Sequence, residues 1–169
     1  MSLRRLLVIL LVLSLVVPVI PVSAQGPATN LTAGCVDTYD PSVDYFPEKA
    51  TVEYAENFTV EYANNYKVVT VNQTWPGSDP ARYVLVQCGT PAPADIEASA
   101  VIEVPAGSLI TMSTTYLPFV VELGLLDYLV GHDEFDYVST PEVRARIESG
   151  AMTEVGGGAG VSVETVIDL

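Results

Sequence analysis

The only histidine of this 169-residue chain, His132, stands in the run Gly131-His132-Asp133-Glu134-Phe135-Asp136-Tyr137, beside three carboxylates and two aromatic rings. Imidazole and carboxylate together form a metal-ligand chemistry. A lone histidine among loop acids is more commonly solvated than coordinating, so the run reads as a ligand-contacting loop through His132, Asp133, Phe135 and Tyr137, with no bound metal. A second candidate is Ser113-Thr114-Thr115-Tyr116. Its hydroxyls and the free N–H groups of a following helix suit an anionic or carbonyl-rich ligand. Helix capping uses the same groups, and one Ser or Thr can do both. The third is Gly156-Gly157-Gly158-Ala159-Gly160, where a backbone free of side chains at Gly157 permits close approach to a ligand or simply a flexible loop. Nucleophilic catalysis lacks its parts, since no G-x-S-x-G is present and one histidine leaves no convincing dyad. Asp133 and Asp136 are a carboxylate pair without the surroundings of a glycosidase. The chain reads as a binding module and not an enzyme, with no cofactor.

These residues need elements to position them. From Ser108 onward the pattern alternates strand, helix, strand, helix, strand, helix. Ser108–Ser113 is an apolar strand. Tyr116–Leu126 has helical spacing, with Leu117, Val120, Val121, Leu123 and Leu125 forming the apolar side, Pro118 in the first turn and Gly124 able to end it. Tyr128–Gly131 is a buried-type strand. Pro141–Ser149 is a short helix with Thr140 as N-cap and Gly150 as stop. Thr153–Gly156 is a third strand, and Ser162 caps a helix beginning at Val163. Such alternation predicts an α/β fold, a parallel sheet with helices on both faces. Ligands of open parallel sheets bind outside the carboxyl ends of the strands, where all three candidate loops fall. The pattern stops in a helix with no following strand, which reads as a fragment of a longer protein. Upstream, Phe58, Val60 and Tyr62, then Tyr66–Val71 and Tyr83–Val86, alternate between the turn clusters Ala63-Asn64-Asn65 and Trp75–Pro80, predicting an antiparallel β-hairpin region. Trp75 reads as a hairpin cap or a stacking platform.

The chain divides into a signal peptide over 1–24, an extended leader over 25–50, antiparallel β structure over 51–100 and a truncated α/β lobe over 101–169. Arg4 and Arg5, the apolar Leu6–Val17, helix-breaking Pro18 and Pro21, and Val22-Ser23-Ala24 follow the order of a secretory signal, and the apolar run is shorter than a bilayer span. Export to the periplasm or cell exterior is the expectation. The formal net charge of −14 excludes nucleic acid as a partner, and the signal carries two of the few basic residues, so the rest is more acidic still. Export makes a Cys35–Cys88 disulfide the natural reading. Leu31–Cys35 also has a faint look of a lipid-attachment box, which leaves lipidation of Cys35 as the alternative. Asn30, Asn57 and Asn72 each open an N-glycosylation acceptor triplet.

Several stretches resemble the first lobe of substrate-binding proteins of ABC uptake systems, the class that captures iron–siderophores, haem, cobalamin or related metal chelates. They are Pro105–Thr115, Val121–Gly131, Glu154-Val155-Gly156 and Ser162–Leu169; Tyr45–Lys49 and Tyr66–Val71 are similar to a longer subgroup. The resemblance implies a two-lobed, monomeric binding protein that closes on a metal chelate and delivers it to a membrane permease. The strand-end loops supply the expected ligand contacts, Ser113, Thr114, Thr115, Tyr116, His132, Asp133, Phe135, Tyr137 and Gly157, and the resemblance implies permease contacts from lobe carboxylates such as Glu142 or Glu148. A secreted adhesion or structural β module is the competing expectation.

Overall fold

The computed structural model describes residues 26–169. The signal peptide expected over residues 1–24 lies outside them. The fold is mixed α/β, with a four-stranded sheet, a small three-stranded sheet and few helices.

The first sheet is a meander of β1 (Phe58–Tyr62), β2 (Tyr66–Val71) and β3 (Ala81–Gln87), joined antiparallel as the alternation requires, with Tyr62 opposite Lys67 across the short turn. Ala63 N–H donates to the Tyr66 carbonyl to close that turn. One face buries Val68, Val84 and Val86 beneath Ile96 and Ala98 of the following connector. A fourth strand, β4 (Ala100–Val104), pairs parallel to β3. This corrects the grouping of Val101–Val104 with the α/β lobe: parallel pairing needs only a return connection, and residues 88–99 supply one.

The leader is more than an extended arm. Val43, Tyr45 and Phe46 are buried, and Phe46 meets the Tyr62 ring edge-on while Lys67 Nζ lies 5.4 Å from the Phe46 centroid. Cys35 and Cys88 form a disulfide, so Cys35 has no free thiol for lipid attachment. Beside it, Val36 N–H donates to the Cys88 carbonyl at 2.9 Å. Gly89, at φ +83°, is what lets the two segments approach, because a Cβ there would lie 2.2 Å from the Val36 carbonyl oxygen.

The second sheet has the order β5 (Leu109–Thr111), β6 (Leu129–His132), β7 (Thr153–Glu154), parallel throughout. Between the strands run α1 (Leu117–Glu122) and α2 (Pro141–Glu148), and α3 (Val163–Asp168) follows β7. Leu117 and Val120 of α1, Leu129 of β6, Val143 of α2, and Val138 and Met152 form one core. Arg146 of α2 ties the underside by donating to the Leu129 and Asp127 carbonyls.

The first helix is shorter than its spacing predicts. Tyr116 belongs to a 3-10 turn (Thr114–Tyr116), and Leu123 and Leu125 are exposed. Leu123 is six residues after Leu117, about 600° of helical rotation, which leaves it roughly 120° around the axis from Leu117. Leu125 comes after Gly124 at φ +69°, where helical spacing no longer applies. Thr140 occupies the N-cap position of α2 without a side-chain capping bond, whereas Ser162 caps α3 by accepting from Thr165 N–H.

Candidate functional site

Parallel strands all end on the same side, and here that puts three loops on one rim. β5 runs out at Thr111 into Ser113–Tyr116, β6 at His132 into Asp133–Tyr137, and β7 at Glu154 into Gly156–Gly160. Backbone bonds stitch the loops together beyond the strands. Asp133 N–H donates to the Thr111 carbonyl, and Gly156 N–H to the Asp133 carbonyl. The sequence-predicted residues are therefore gathered along a single edge.

Their roles differ from one another. Ser113 Oγ accepts from Thr115 N–H at 3.3 Å and donates to Thr115 Oγ1, so its hydroxyl is engaged in capping. The α1 that follows has only six residues, too few for a strong N-terminal dipole. Thr114 is half-buried, while Thr115 and Tyr116 face solvent. The rim's first loop thus offers an exposed Thr115 hydroxyl, which already accepts from Ser113, and an aromatic ring more than it offers an anion cradle.

His132 is fully buried and cannot touch a ligand directly. Its Nδ1 lies 2.8 Å from Thr111 Oγ1. Its Nε2 is 2.7 Å from Asp133 Oδ1, a charge-contact distance, but the ring is not oriented for a hydrogen bond to that oxygen, and Nε2 has no hydrogen-bond partner among the described residues. The ring thus spans from the end of β5 to the Asp133 carboxylate at the base of the acidic loop.

Asp133 is half-buried, and Glu134 and Asp136 are exposed. The Glu134 carboxylate lies over Gly157, where a Cβ would be 3.0 Å from Oε1, so the glycine leaves room for the acid. Glu154 Oε2 accepts from Phe135 N–H at 2.8 Å. Sequence reasoning missed Glu154; its signal was its place as the last residue of β7. Phe135 is half-buried against the core, and Tyr137 is 72% exposed. Among the described residues, no three His, Cys, Asp or Glu side chains converge in a metal-binding set. No lysine or arginine there forms an ion pair with Glu134, Asp136 or Glu154; Arg144 on α2 donates to the Phe135 carbonyl, on the same loop.

A groove of about 370 Å³ lies at the opposite end of the sheet, lined by Thr32, Pro105, Ser108, Leu109, Leu125 and Tyr128 among others. Its walls are almost wholly apolar and offer little to orient a polar ligand. The rim, with its convergent polar groups, is the better candidate. Trp75 sits exposed in the β2–β3 loop of the first sheet.

No family model, curated protein or solved structure matches the chain.

Proposed function

We propose that this chain is one lobe of an extracytoplasmic substrate-binding component of an ABC uptake system, taking a metal chelate at the rim and delivering it to a membrane permease. One observation carries the reading: β5, β6 and β7 are parallel and release Ser113–Tyr116, Asp133–Tyr137 and Gly156–Gly160 at one edge. The lobe has helices on both faces of that sheet in this reading. On this reading α1 and α2 would cover one side and the segment ending α3 the other, supported by Leu169 approaching the space beside Gly131.

The Cys35–Cys88 disulfide is consistent with an extracytoplasmic location. Among the described residues no helix is long and apolar enough to cross a membrane. In the proposed mechanism Tyr116 and Tyr137 are the exposed rings that contact the chelate, Thr115 and Asp133 bond its periphery, and Gly157 admits it close to the backbone. His132, being buried, acts from beneath by holding the loop. A second lobe would close over the same edge.

The test is ligand-dependent thermal stabilisation of the purified chain against ferric siderophores, haem and cobalamin well above micromolar concentration. A rise in Tm with one of these classes is expected. No rise with any of them sinks the reading.

A further inference from the structure

We infer that the folded chain accepts an N-linked glycan at Asn72 and at neither of its other two acceptor triplets, whose asparagines are structural clasps. The inference goes beyond the proposed transport role and does not depend on it.

The triplets are Asn30-Leu31-Thr32, Asn57-Phe58-Thr59 and Asn72-Gln73-Thr74. Their amides are used differently. Asn30 Nδ2 donates to the Glu48 carbonyl at 2.7 Å, while its Oδ1 accepts from Glu48 N–H at 3.1 Å. Asn57 treats Gln73 in the same way, with Nδ2 donating to the carbonyl at 2.7 Å and Oδ1 accepting from N–H at 3.1 Å. Each amide thus grips both backbone groups of one distant residue. The Asn57 clasp closes the open end of the β1–β2 hairpin, where Asn72 N–H also donates to the Asn57 carbonyl. The Asn72 side chain makes one bond, from Nδ2 to the Glu56 carbonyl at 3.2 Å, and its Oδ1 makes none among the described residues.

The chemistry of attachment separates these two arrangements. Nδ2 attacks C1 of a sugar carried on a lipid diphosphate. The C1–O bond breaks, the lipid diphosphate leaves and the amide gives up one proton. The product is a secondary amide, planar and trans like a peptide bond. Trans geometry puts the sugar on the Oδ1 side of the nitrogen. An amide that grips both backbone groups of one residue presents its oxygen and the hydrogen on that same side. A glycan on Asn30 or Asn57 therefore replaces the clasp hydrogen and displaces Glu48 or Gln73. At Asn72 a single long bond in an exposed position is all that changes.

Placement agrees with this. Asn72 is exposed and follows the last residue of β2, so its triplet lies in the loop leading to Trp75. A transferase reads the third residue with the asparagine, and Thr74 is exposed, with its hydroxyl 3.2 Å from Ser78 Oγ of the same loop. Phe58 and Thr59 of the Asn57 triplet are instead paired within β1. The reaction belongs outside the cytoplasm, a location with which the Cys35–Cys88 disulfide is consistent.

The experiment incubates the purified, folded full chain with a single-subunit oligosaccharyltransferase and a lipid-linked oligosaccharide, beside three peptides carrying the separate triplets. Mass spectrometry reads occupancy at each site. Asn72 of the folded chain is expected to be modified at least about tenfold more than Asn30 or Asn57, the ratio that corresponds to losing a clasp. The peptides are expected to show no such preference. A second measurement separates clasp from acceptor. Asn57→Ala and Thr59→Val both destroy the triplet, but only Asn57→Ala removes the clasp, and it is expected to lower Tm by roughly 3 °C or more relative to Thr59→Val. Occupancy of Asn30 or Asn57 equal to that of Asn72 overturns the inference. So does a folded chain modified at none of the three, the same preference among the peptides, or equal stability of the two variants.

Discussion

Thr111 Oγ1 lies 2.8 Å from His132 Nδ1, a buried side-chain contact joining the last residue of β5 to the last residue of β6. It sits immediately beneath the two loops that carry most of the candidate site. The contact fixes the imidazole, and the imidazole in turn stands under Asp133. Strand ends otherwise fray, and a three-residue strand such as β5 has few backbone bonds of its own to resist fraying.

Thr111→Val keeps the shape and removes the hydroxyl, leaving both ring nitrogens of a buried histidine without hydrogen bonds. A loss of about 1–3 kcal/mol is expected, the cost of an unsatisfied buried polar group. Urea denaturation read by circular dichroism measures it. A change under about 0.5 kcal/mol would mean the bond does not anchor the rim.

Gly89→Ala tests the junction between leader and first sheet. The residue has φ +83°, and the added methyl would meet the Val36 carbonyl oxygen at 2.2 Å. Backbone strain alone costs about 1–2 kcal/mol for a left-handed alanine, and the backbone clash adds to it. A loss of more than about 2 kcal/mol is expected by chemical denaturation. Gly77→Ala has a similar φ but open space around it, so it should show the strain without the clash.

Much of this fold was legible in the sequence, and the failures have physical causes. Alternation at Phe58, Val60 and Tyr62 marked β1, and Gly124, Gly150 and Ser162 marked helix ends correctly because turn and cap chemistry is local. The side of the boundary on which Val101–Val104 falls was not legible, because strand pairing is a tertiary choice that no local pattern encodes. Burial of Val43, Tyr45 and Phe46 was hidden for the same reason: a segment without period gives no face to read. At the rim, the alternation after Ser108 matches the parallel pairing of β5, β6 and β7, which ends all three strands on one side. Capping was one of the two readings the Ser113–Tyr116 run offered, and the structure shows Ser113 taking it, whereas the burial of His132 was not foretold, since it depends on which way a side chain turns at a strand end. The exposed Leu123 shows the limit of counting apolar residues without checking their angle.

The leader carries the clearest pH dependence. The Asp44 carboxyl is held below its ordinary value, first by its hydrogen bond from Lys49 and also by accepting from Phe46 N–H. A depressed folded value means the stabilisation is present above about pH 4, the ordinary aspartate range, and fades as pH falls through the folded value. Both side chains are over a third exposed, so solvent screening limits the contribution to about 1 kcal/mol or less. Asp44→Asn should therefore be slightly less stable than the parent at pH 7, and the gap should close in strong acid. A gap that persists unchanged at pH 2 would show that the carboxylate charge is not the cause.

The disulfide should matter more than any single side chain. Cys35 and Cys88 are separated by 53 residues, and closing a loop of that length removes unfolded-state entropy worth about 3–4 kcal/mol. The bond also holds Val36 against the end of β3, so its loss frees the leader from the sheet it covers. The Cys35→Ser, Cys88→Ser double variant should lose most of that stability and expose Val43, Tyr45 and Phe46 to protease. The second sheet draws its core from Leu117, Leu129 and Val143 and contains no part of the leader. Hydrogen exchange in β5, β6 and β7 should therefore change far less than in β1, β2 and β3. Equal deprotection of both sheets would mean that they unfold as one unit and that the disulfide supports the rim as directly as it supports the leader.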